Sequence, residues 1–324
     1  MKSLENLNGK VVAVTGASGY IGAVLVDALT EYDAQILSVS RQELMPQPGV
    51  RTIKGDIRTY DCWCEIIECA DVIFHLAGNT SVYAAASNPA ESLSSTLLPV
   101  NHLIKAAQYT GRRPRVVFAS TATVYGLTGM HPIAETAECK PITIYDLHKL
   151  FAEQQLALAT RLEILEGVSL RLANVYGPSS SVSSAEDRGI LNKMTSVALN
   201  GKDLTVYGDG NYLRDYVYID DAVRAFMLAG SKQGVCGPFN VATGQSVSVH
   251  DAFHLVAQRV ASVTGVSVDV KNAPWPEDAN PIELRNYVAN TGQISDELGW
   301  HAQISLECGI NLMIKRFGKG KDND

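Results

Sequence analysis

Short apolar runs of strand length recur along the chain, with longer helical stretches between them. The runs are rich in Val, Ile, Leu and Phe and lie at residues 11–15, 36–39, 72–76, 116–119 and 169–172. Most are continuously apolar, which is typical of strands buried on both faces. Alternation of strand and helix predicts a parallel sheet covered by helices on both sides. The predicted fold class is therefore α/β, a doubly wound parallel sheet that binds ligands at the carboxyl ends of its strands.

A change in composition after residue 178 predicts a smaller second domain. A Ser-rich stretch at 179–187 precedes a predicted helix at 189–200, whereas 220–229 again reads as a helix and 239–241 as a strand. The predicted division is a first domain at 1–176 with a return segment at about 217–242, a second domain at 177–216 and 243–318, and a frayed tail at 319–324.

The first strand leads directly into a glycine-rich loop, TGASGYIG at residues 15–22, which opens an apolar helix. Glycines in this position permit a tight turn and a close approach of the backbone to a pyrophosphate at the helix N-terminus. Three glycines alone would also fit a structural turn, but the strand before them and the helix after them favour dinucleotide binding. The predicted binding residues of the loop are Gly16, Ser18, Gly19, Tyr20, Ile21 and Gly22.

The end of the second strand distinguishes the two nicotinamide dinucleotides. An Asp or Glu there binds the adenosine ribose of NAD, but this chain has Ser40 and Arg41. A hydroxyl and a guanidinium can hydrogen-bond and neutralise a 2′-phosphate, so NADP(H) is favoured over NAD(H). The alternative is that Arg41 is a solvated loop residue that stacks on adenine in either cofactor.

Two further strand ends contribute predicted cofactor residues. These residues are Asp56 and Ile57 beside adenine, and Leu76, Ala77 and Gly78 beside the rest of the cofactor. His75 stands next to the second group, and at a strand end a structural role is favoured over a catalytic one.

Tyr145 and Lys149 are four residues apart, which puts both side chains on one face of a predicted helix that runs through Leu158. Tyrosine is a poor base at neutral pH, but a nearby ammonium and a positively charged nicotinamide both favour the phenolate. Tyr145 can then exchange a proton with a substrate hydroxyl while hydride moves to or from the nicotinamide. Such a pair also occurs by chance on surface helices, but the hydroxyl pair Ser120 and Thr121 at an earlier strand end favours catalysis.

Composition and charge narrow the range of partners. The chain has 324 residues, of which 46% are hydrophobic, and its net charge of −7 argues against nucleic acid. No apolar stretch approaches the ~20 residues of a membrane span and the N-terminus has no signal-peptide pattern, so no membrane partner and a cytoplasmic location are expected. Cys62, Cys64 and Cys69 lie in helix-like sequence at unsuitable spacing, which favours free thiols over a metal site.

Longer motifs cover almost the whole chain. They read TGASGYIG, HLAG, STATVYG, YDLHK, LRLANVYGP, YGDGNYLRDYVYIDDA, FNVATG and ELGW. Together they resemble extended short-chain dehydrogenase/reductases of the NAD-dependent epimerase/dehydratase family, which act on nucleotide sugars. The resemblance implies that the first domain is a Rossmann-like dinucleotide-binding domain and that the second is a small nucleotide-sugar-binding domain. It also implies a homodimer made by two helices per subunit, expected here at 91–109 and 145–160.

The resemblance also implies roles for individual residues. Thr121 is the hydroxyl that orients the substrate, Tyr145 is the acid/base, and Lys149 holds the nicotinamide ribose and favours the phenolate. Ser120 is then a structural hydrogen-bonding residue.

Three polar residues match positions that hold the nucleotide diphosphate in the family. They are Asn174, Arg214 and Arg285. Arginine suits this role because its guanidinium is permanently charged and binds in a bidentate way. The alternative for Arg214 is a salt bridge to Asp215 or Asp220, and the alternative for Arg285 is one to Glu283.

The sequence departs from the family pattern in three places. The helix that usually carries an Asn facing the catalytic residues has Thr96 there, Asn101 out of register and Pro99 inside, which should kink the helix or start it late. Asn290 replaces an acid usual before ELGW, so a contact expected of a carboxylate is in doubt. The Ser-rich 179–187 stretch replaces a shorter connection and is a candidate flap over the sugar.

The leading functional hypothesis is a 4-epimerase, in which hydride leaves C4 of a nucleotide-diphosphate sugar and returns to its other face. The alternative is an NADPH-dependent reductase of nucleotide 4-keto sugars, which would use the same residues. A reductase of steroid or flavonoid ketones gives Arg214 and Arg285 no role. A non-catalytic NADPH-binding protein would not need Thr121, Tyr145 and Lys149.

The sequence also predicts that this is not a 4,6-dehydratase. Elimination of water needs a second acid/base pair, and in dehydratases of this kind an Asp and a Glu directly follow the catalytic Thr. Here Ala122 and Thr123 stand at those positions, and the nearest carboxylates in sequence, Glu135 and Glu138, lie beyond a predicted turn at 126–130.

Overall fold

The computed structural model describes residues 4–129, 131–179 and 189–318. The strands are β1 (Val11–Thr15), β2 (Gln35–Ser40), β3 (Val50–Lys54), β4 (Val72–His75), β5 (Arg115–Thr121), β6 (Glu166–Leu172), β7 (Asn174–Tyr176), β8 (Leu204–Tyr207), β9 (Leu213–Arg214), β10 (Tyr216–Tyr218), β11 (Gly237–Val241), β12 (Val247–Ser248) and β13 (Val270–Ala273). The α-helices are α1 (Tyr20–Leu29), α2 (Tyr60–Cys69), α3 (Val82–Ser87), α4 (Pro89–Thr110), α5 (Ile144–Arg161), α6 (Ile190–Leu199), α7 (Ile219–Ser231), α8 (Val249–Thr264), α9 (Gly292–Leu298) and α10 (Leu306–Gly318).

A parallel sheet forms the centre of the first domain. Within the described residues it contains seven strands in the order β11-β6-β5-β4-β1-β2-β3. Every neighbouring pair is parallel, and Thr15 at the end of β1 is level with His75 of β4 and Val39 of β2. The strand order reverses between β1 and β4, where a crevice opens at the carboxyl ends of the strands. The predicted fold class is confirmed.

Apolar layers cover both faces of this sheet. Successive side chains of a strand point to opposite faces, so Phe74 of β4 packs with α1 and α7 while its neighbour Ile73 packs with α2, α4 and α5. Burial on both faces explains why the strands are continuously apolar in sequence.

Helix α4 differs from the expectation drawn from Pro99. It begins at Pro89, where the first turn needs no amide hydrogen, and the side chain of Asn88 accepts a hydrogen bond from the Glu91 amide at 3.1 Å. The helix continues through Pro99 to Thr110, so the expected late start is wrong. The cap and the packing of its buried face outweigh the single hydrogen bond that Pro99 cannot donate.

A separate apolar core lies in the C-terminal part of the chain, where α6, α8 and α10 pack with β8 and β10. Strand β11 leaves this part and pairs with β6 in the central sheet. The domain boundaries themselves stay predictions, and the 319–324 tail and residues 180–187 of the candidate flap lie outside the described residues. In the described part of the chain no helix is both long and apolar enough to cross a membrane.

Candidate active site

The glycine-rich loop is pressed against the end of β4. Gly16 has a φ of +73°, and a Cβ there would lie 2.8 Å from the amide nitrogen of Ala77. A Cβ on Gly22 would lie 2.1 Å from the carbonyl oxygen of Gly16. The N-cap residue of α1 is Gly19, which has no side chain to cap the helix. The loop therefore has the close backbone packing and the uncapped helix N-terminus that a dinucleotide pyrophosphate requires.

The side chain of Tyr20 points away from this loop. Its hydroxyl donates a hydrogen bond to the Gly177 carbonyl at 2.6 Å and accepts one from Asn192 at 3.1 Å, and burial raises its pKa well above the ordinary value. The backbone of Tyr20 is thus the part available to a cofactor, while the phenol ties the loop to the second lobe.

The residues predicted to distinguish NADP from NAD lie at the end of β2. The hydroxyl of Ser40 donates to the hydroxyl of Ser18 at 3.4 Å, and Arg41 is exposed. This arrangement leaves the Arg41 guanidinium in solvent next to the loop, where an added phosphate can reach it.

Asp56 and Ile57 have partners within the protein. Arg58 binds the Asp56 carboxylate with Nε at 2.9 Å and 3.0 Å and with Nη2 at 2.6 Å, and these hydrogen bonds lower the pKa of Asp56. The carbonyl of Ile57 accepts the indole N–H of Trp63 at 2.7 Å. An adenine amino group would therefore share the Asp56 carboxylate with Arg58.

A cleft of about 1020 Å³ runs from the glycine-rich loop to the C-terminal lobe and brings the predicted sets together. The predicted residues in its wall are Gly16, Gly19, Tyr20, Ile21, Gly22, Leu76, Thr121, Tyr145, Lys149, Asn174, Arg214 and Arg285. The predicted residues outside its wall are Ser18, Ser40, Arg41, Asp56, Ile57, Ala77 and Gly78. The second group lies in the loop or at strand ends beside the cleft, towards the expected adenosine end.

Helix α5 carries Tyr145 and Lys149 one turn apart in the cleft wall. The Lys149 ammonium donates to the Ala119 carbonyl at 2.8 Å and lies 6.0 Å from the centre of the Tyr145 ring. Burial lowers the pKa of Lys149 to about 8, while the charge of Glu153 acts in the opposite direction. The cation favours the phenolate form of a phenol on the same helix face.

The two hydroxyls at the end of β5 have different partners. Ser120 donates to Glu153, which forms a buried ion pair with Arg171 at 2.7 Å. This contact agrees with the structural role expected for Ser120. Thr121 lines the cleft, and its Oγ1 lies 2.8 Å from the Oγ1 of Thr123.

A buried carboxyl that the sequence reasoning missed lies behind Thr121. Thr123 donates a hydrogen bond to Asp146, the residue after Tyr145 on α5. Neither Asp146 nor Glu135 or Glu138 is part of the cleft wall. Glu135 and Glu138 are the nearest carboxylates along the chain, but the one that contacts Thr123 is Asp146, because α5 folds back onto the end of β5. The available signal was the Asp in YDLHK.

Arg214 and Arg285 lie side by side in the cleft wall. Arg214 donates to the carbonyl oxygens of Leu213 and Arg285, and to that of Glu283 at 2.7 Å. Arg285 donates to Asn174 Oδ1 at 3.4 Å, so the three predicted diphosphate residues form one group. Burial and the neighbouring Arg285 lower the pKa of Arg214 to about 10. Two adjacent cations of this kind favour binding of an anion.

The alternative salt bridges are weak or do not form. The Glu283 carboxylate lies 4.0 Å from Arg214 and 3.9 Å from Arg285, longer than a hydrogen bond. Arg214 makes no ion pair with Asp215 among the described residues, since Asp215 instead accepts hydrogen bonds from Thr243 and Gly244 at 2.6–2.8 Å. The carbonyl contacts position both guanidinium groups without neutralising them.

Sequence reasoning also missed a phenol beside the two arginines. Tyr216 lines the cleft, is 3% exposed, and has no hydrogen-bond partner for its hydroxyl in the described part of the chain. The RDYVY motif contains this Tyr, so the signal was present. An aromatic group of Tyr207, Tyr212 and Trp275 lines the same end, with ring centres 5.6 Å and 5.9 Å from that of Trp275.

Thr96 lies beside Lys149, as expected for the residue that replaces the usual Asn. A Cβ on Gly78 would lie 3.8 Å from both Thr96 Oγ1 and Lys149 Nζ. Pro99 has no amide hydrogen for the Ser95 carbonyl, which would be 3.4 Å from the same Cβ.

His75, at the end of β4, is fully buried. Burial lowers its pKa to about 3, so its imidazole is neutral, which fits a structural residue.

Comparisons with known proteins identify the family of this chain. The sequence profile of the NAD dependent epimerase/dehydratase family matches residues 12–242. The chain belongs to this family. A UDP-glucose 4-epimerase of Mycolicibacterium smegmatis is 30% identical over 318 residues, covering 94% of this chain and 97% of the relative.

Solved structures of family members share the fold. The UDP-glucose 4-epimerase of Thermotoga maritima, solved with UDP-glucose, has a TM-score of 0.85 and 28% identity, covering 96% of this chain and 99% of that one. The Thermus thermophilus UDP-glucose 4-epimerase, solved with NAD, has a TM-score of 0.82 and 26% identity, covering 95% and 98%. The family resemblance seen in the sequence is confirmed, and these epimerases agree with the leading functional hypothesis.

Proposed function

We propose that this protein is a nucleotide-sugar 4-epimerase that interconverts UDP-sugars at C4. One observation carries the proposal: a single cleft holds the glycine-rich loop at one end, Thr121, Tyr145 and Lys149 in its wall, and two adjacent arginines at the other end. A sugar between the catalytic residues and a diphosphate on the arginines matches this order of chemistries.

The loop and α1 N-terminus would bind the pyrophosphate of a nicotinamide dinucleotide, and Lys149 its ribose. When bound, the cofactor supplies a hydride acceptor and donor. Tyr145, as phenolate, removes the proton of the C4 hydroxyl and returns a proton to the ketone oxygen after the sugar has rotated. Lys149 favours the phenolate by its charge, and Thr121 orients the C4 oxygen.

The diphosphate would be bound by Asn174, Arg214 and Arg285. Tyr216 adds a hydroxyl that is buried beside both arginines and lacks a partner among the described residues. A phosphate oxygen there would satisfy it, since an unpaired buried hydroxyl costs free energy. We place the nucleobase towards the Tyr207, Tyr212 and Trp275 rings at the outer end.

A dehydratase is disfavoured on the same geometry. Ala122 and Thr123 offer no carboxylate to the cleft, and Asp146, which accepts a hydrogen bond from Thr123, is not part of the cleft wall. The 4-ketoreductase alternative is chemically compatible with the site, but the relatives support epimerisation.

Cofactor preference and assembly are further parts of the proposal. The exposed Arg41 at the end of β2 supports NADP(H) over NAD(H), although a related epimerase is solved with NAD. Helices α4 and α5 expose Leu93, Tyr109, Phe151 and Leu158, which are 48%, 84%, 42% and 49% accessible, and these side chains support a homodimer through both helices. Light scattering of the purified protein tests the dimer. A cytoplasmic location is likewise a prediction.

The test of the proposal is an interconversion assay. Purified protein with its cofactor is offered UDP-glucose and UDP-N-acetylglucosamine, and also dTDP- and GDP-glucose, and products are identified by NMR. We expect reversible inversion at C4 of a UDP-sugar without net consumption of cofactor. Stoichiometric NADPH consumption with an added 4-keto sugar and no inversion would replace the epimerase by the reductase. A 6-deoxy-4-keto product would show dehydration instead.

A further inference from the structure

Three polar side chains form a chain that leads from the cleft into the protein. Thr121 Oγ1, in the cleft wall, lies 2.8 Å from Thr123 Oγ1, and Thr123 donates to Oδ1 of Asp146. Thr121 Oγ1 also accepts the backbone N–H of Thr123 at 3.2 Å. Thr123 and Asp146 are not part of the cleft wall, so they reach a substrate only through Thr121.

The direction of each hydrogen bond follows from counting hydrogens. A hydroxyl has one hydrogen to donate and two lone pairs, and an ionised carboxylate only accepts. The Thr123 hydrogen is used on Asp146, so the contact between the two threonines must be donated by Thr121. Thr121 has then used its hydrogen and one lone pair, and one lone pair remains for a hydroxyl in the cleft. All hydrogens in the chain point towards Asp146.

Asp146 is suited to gain and lose a proton. It is fully buried, and its second oxygen has no hydrogen-bond partner among the residues that the structure describes. Burial raises its pKa, although hydrogen bonds from Thr123 and Thr143 and the charge of Arg285 act in the opposite direction. A protonated Asp146 would reverse the chain: it would donate to Thr123, Thr123 to Thr121, and Thr121 into the cleft.

We propose that Thr121, Thr123 and Asp146 form a proton relay for the C4 hydroxyl, a second route beside Tyr145; this inference rests on the proposed 4-epimerase function. As C4 gives up its hydride to the oxidised nicotinamide, the O4–H bond breaks and Thr121 takes that proton. Thr121 passes its own hydrogen to Thr123, and Thr123 passes its own to Asp146, so the carboxylate becomes a carboxylic acid. The same shifts in reverse return a proton to O4 after the sugar has turned. The alcohol thus faces a chain of acceptors and the ketone a chain of donors.

The relay predicts the outcome of a double-mutant cycle that combines Tyr145→Phe with Thr123→Val. If it carries the turnover that remains when Tyr145 is removed, Thr123→Val should cost more in the Tyr145→Phe background than in the wild type. We expect Thr123→Val to lower kcat about 3-fold to 10-fold in the wild type. In Tyr145→Phe we expect it to lower kcat at least about 30-fold, since a positioned acid/base contributes roughly 100-fold or more. Thr123→Ser keeps the hydroxyl and should restore turnover in both backgrounds. KM should change little.

The experiment uses the UDP-sugar that the wild type interconverts, and follows kcat in H₂O–D₂O mixtures. We expect the residual turnover of Tyr145→Phe to depend non-linearly on the deuterium fraction, because several protons move together, and Asp146→Asn in that background to remove both turnover and curvature. Thr195→Val, the same change at a buried threonine of α6 outside the cleft wall, is the matched control. Circular dichroism and cofactor fluorescence establish that each variant is folded and loaded.

Equal factors for Thr123→Val in both backgrounds would mean a merely structural threonine and overturn the relay. So would a linear deuterium dependence, or a Tyr145→Phe enzyme with no turnover above the uncatalysed rate. A wild type that inverts none of the offered UDP-sugars would instead contradict the proposed function at the first step, before any variant is compared.

Discussion

The two ends of the cleft are built in opposite ways. At the cofactor end backbone packs against backbone: Gly16 and Gly22 leave no space for even a methyl group, and the α1 N-terminus has no side-chain cap. At the substrate end long polar side chains leave interactions unused. Arg214 and Arg285 lack a close carboxylate, and the Tyr216 hydroxyl lacks a partner among the described residues.

The difference shows where specificity lies. A glycine loop accepts the part that all nicotinamide dinucleotides share, and its steric requirements are absolute. The buried donors at the substrate end find acceptors only when a diphosphate is bound, so their contribution to the binding free energy depends on the ligand. Thr121, Tyr145 and Lys149 lie between the two ends, where the proposed function places the reacting C4 of the sugar.

The largest effect is expected where the two ends meet. Tyr145→Phe should leave folding and cofactor binding intact and lower turnover by roughly two to four powers of ten, the contribution of a positioned acid/base. Steady-state kinetics with a UDP-sugar, beside a cofactor titration, measures both. The role assigned to Tyr145 is wrong if turnover stays near that of the wild type.

Gly22→Ala tests the close packing at the cofactor end. The added methyl group would meet the Gly16 carbonyl at 2.1 Å, so the loop must shift, and we expect cofactor affinity to fall about 100-fold, as for an overpacking cost of roughly 3 kcal/mol. Gly129→Ala is the control, because nothing lies within 4 Å of a Cβ there. Fluorescence titration with both dinucleotides gives the affinities. Equal affinity in wild type and Gly22→Ala would break the contrast between the two ends.

Arg285→Met tests the substrate end. We expect KM for the UDP-sugar to rise about 10-fold to 100-fold with cofactor affinity unchanged, because charged hydrogen bonds to phosphate contribute about 1.5–3 kcal/mol. Arg285→Lys keeps the charge but loses the bidentate geometry and should fall in between. An unchanged KM would make the Arg285 contacts structural.

Arg41→Ala tests whether the exposed edge of the cofactor end discriminates between NADP(H) and NAD(H). We expect about 10-fold weaker binding of NADP(H) and no change for NAD(H), a small effect because an exposed cation is screened by solvent. Arg51→Ala on the adjacent strand β3 is the control, since Arg51 is exposed and pairs with Glu65. A preference for NAD that is insensitive to Arg41→Ala would contradict the proposed NADP preference.

The last prediction concerns pH and needs no substitution. Burial lowers the pKa of Lys149 to about 8, so its ammonium is present below that pH and is lost as pH rises through it. Since the cation favours the Tyr145 phenolate, kcat/KM for the free enzyme should fall as pH rises above about 8, by up to 10-fold per pH unit. A pH profile measures this decline. A profile that stays flat to pH 10 would contradict the role of Lys149.

The cofactor end could be predicted from the sequence because its requirements are local. The loop reads TGASGYIG and follows a continuously apolar strand, so both its conformation and its place at the sheet edge are visible in a few residues. The spacing of Tyr145 and Lys149 is local in the same sense.

The polar end and the interior of the site depend on contacts between distant segments. The carboxyl near Thr121 comes from Asp146 on another element, and Arg285 meets Asn174 across 111 positions. Helix α4 likewise begins at Pro89 and continues through Pro99, because the Asn88 cap and tertiary packing outweigh the tendency of a proline to interrupt a helix. Such pairings leave no periodic signal in the sequence.

The central claim is that hydride leaves C4 and returns to the same carbon. The most direct measurement supplies UDP-glucose deuterated at C4, in ordinary water, and examines the product by NMR and mass spectrometry. The account predicts UDP-galactose that keeps its deuterium at C4, because the hydride never exchanges with solvent. A product that has lost the C4 deuterium to water, or a 6-deoxy-4-keto sugar, would contradict it.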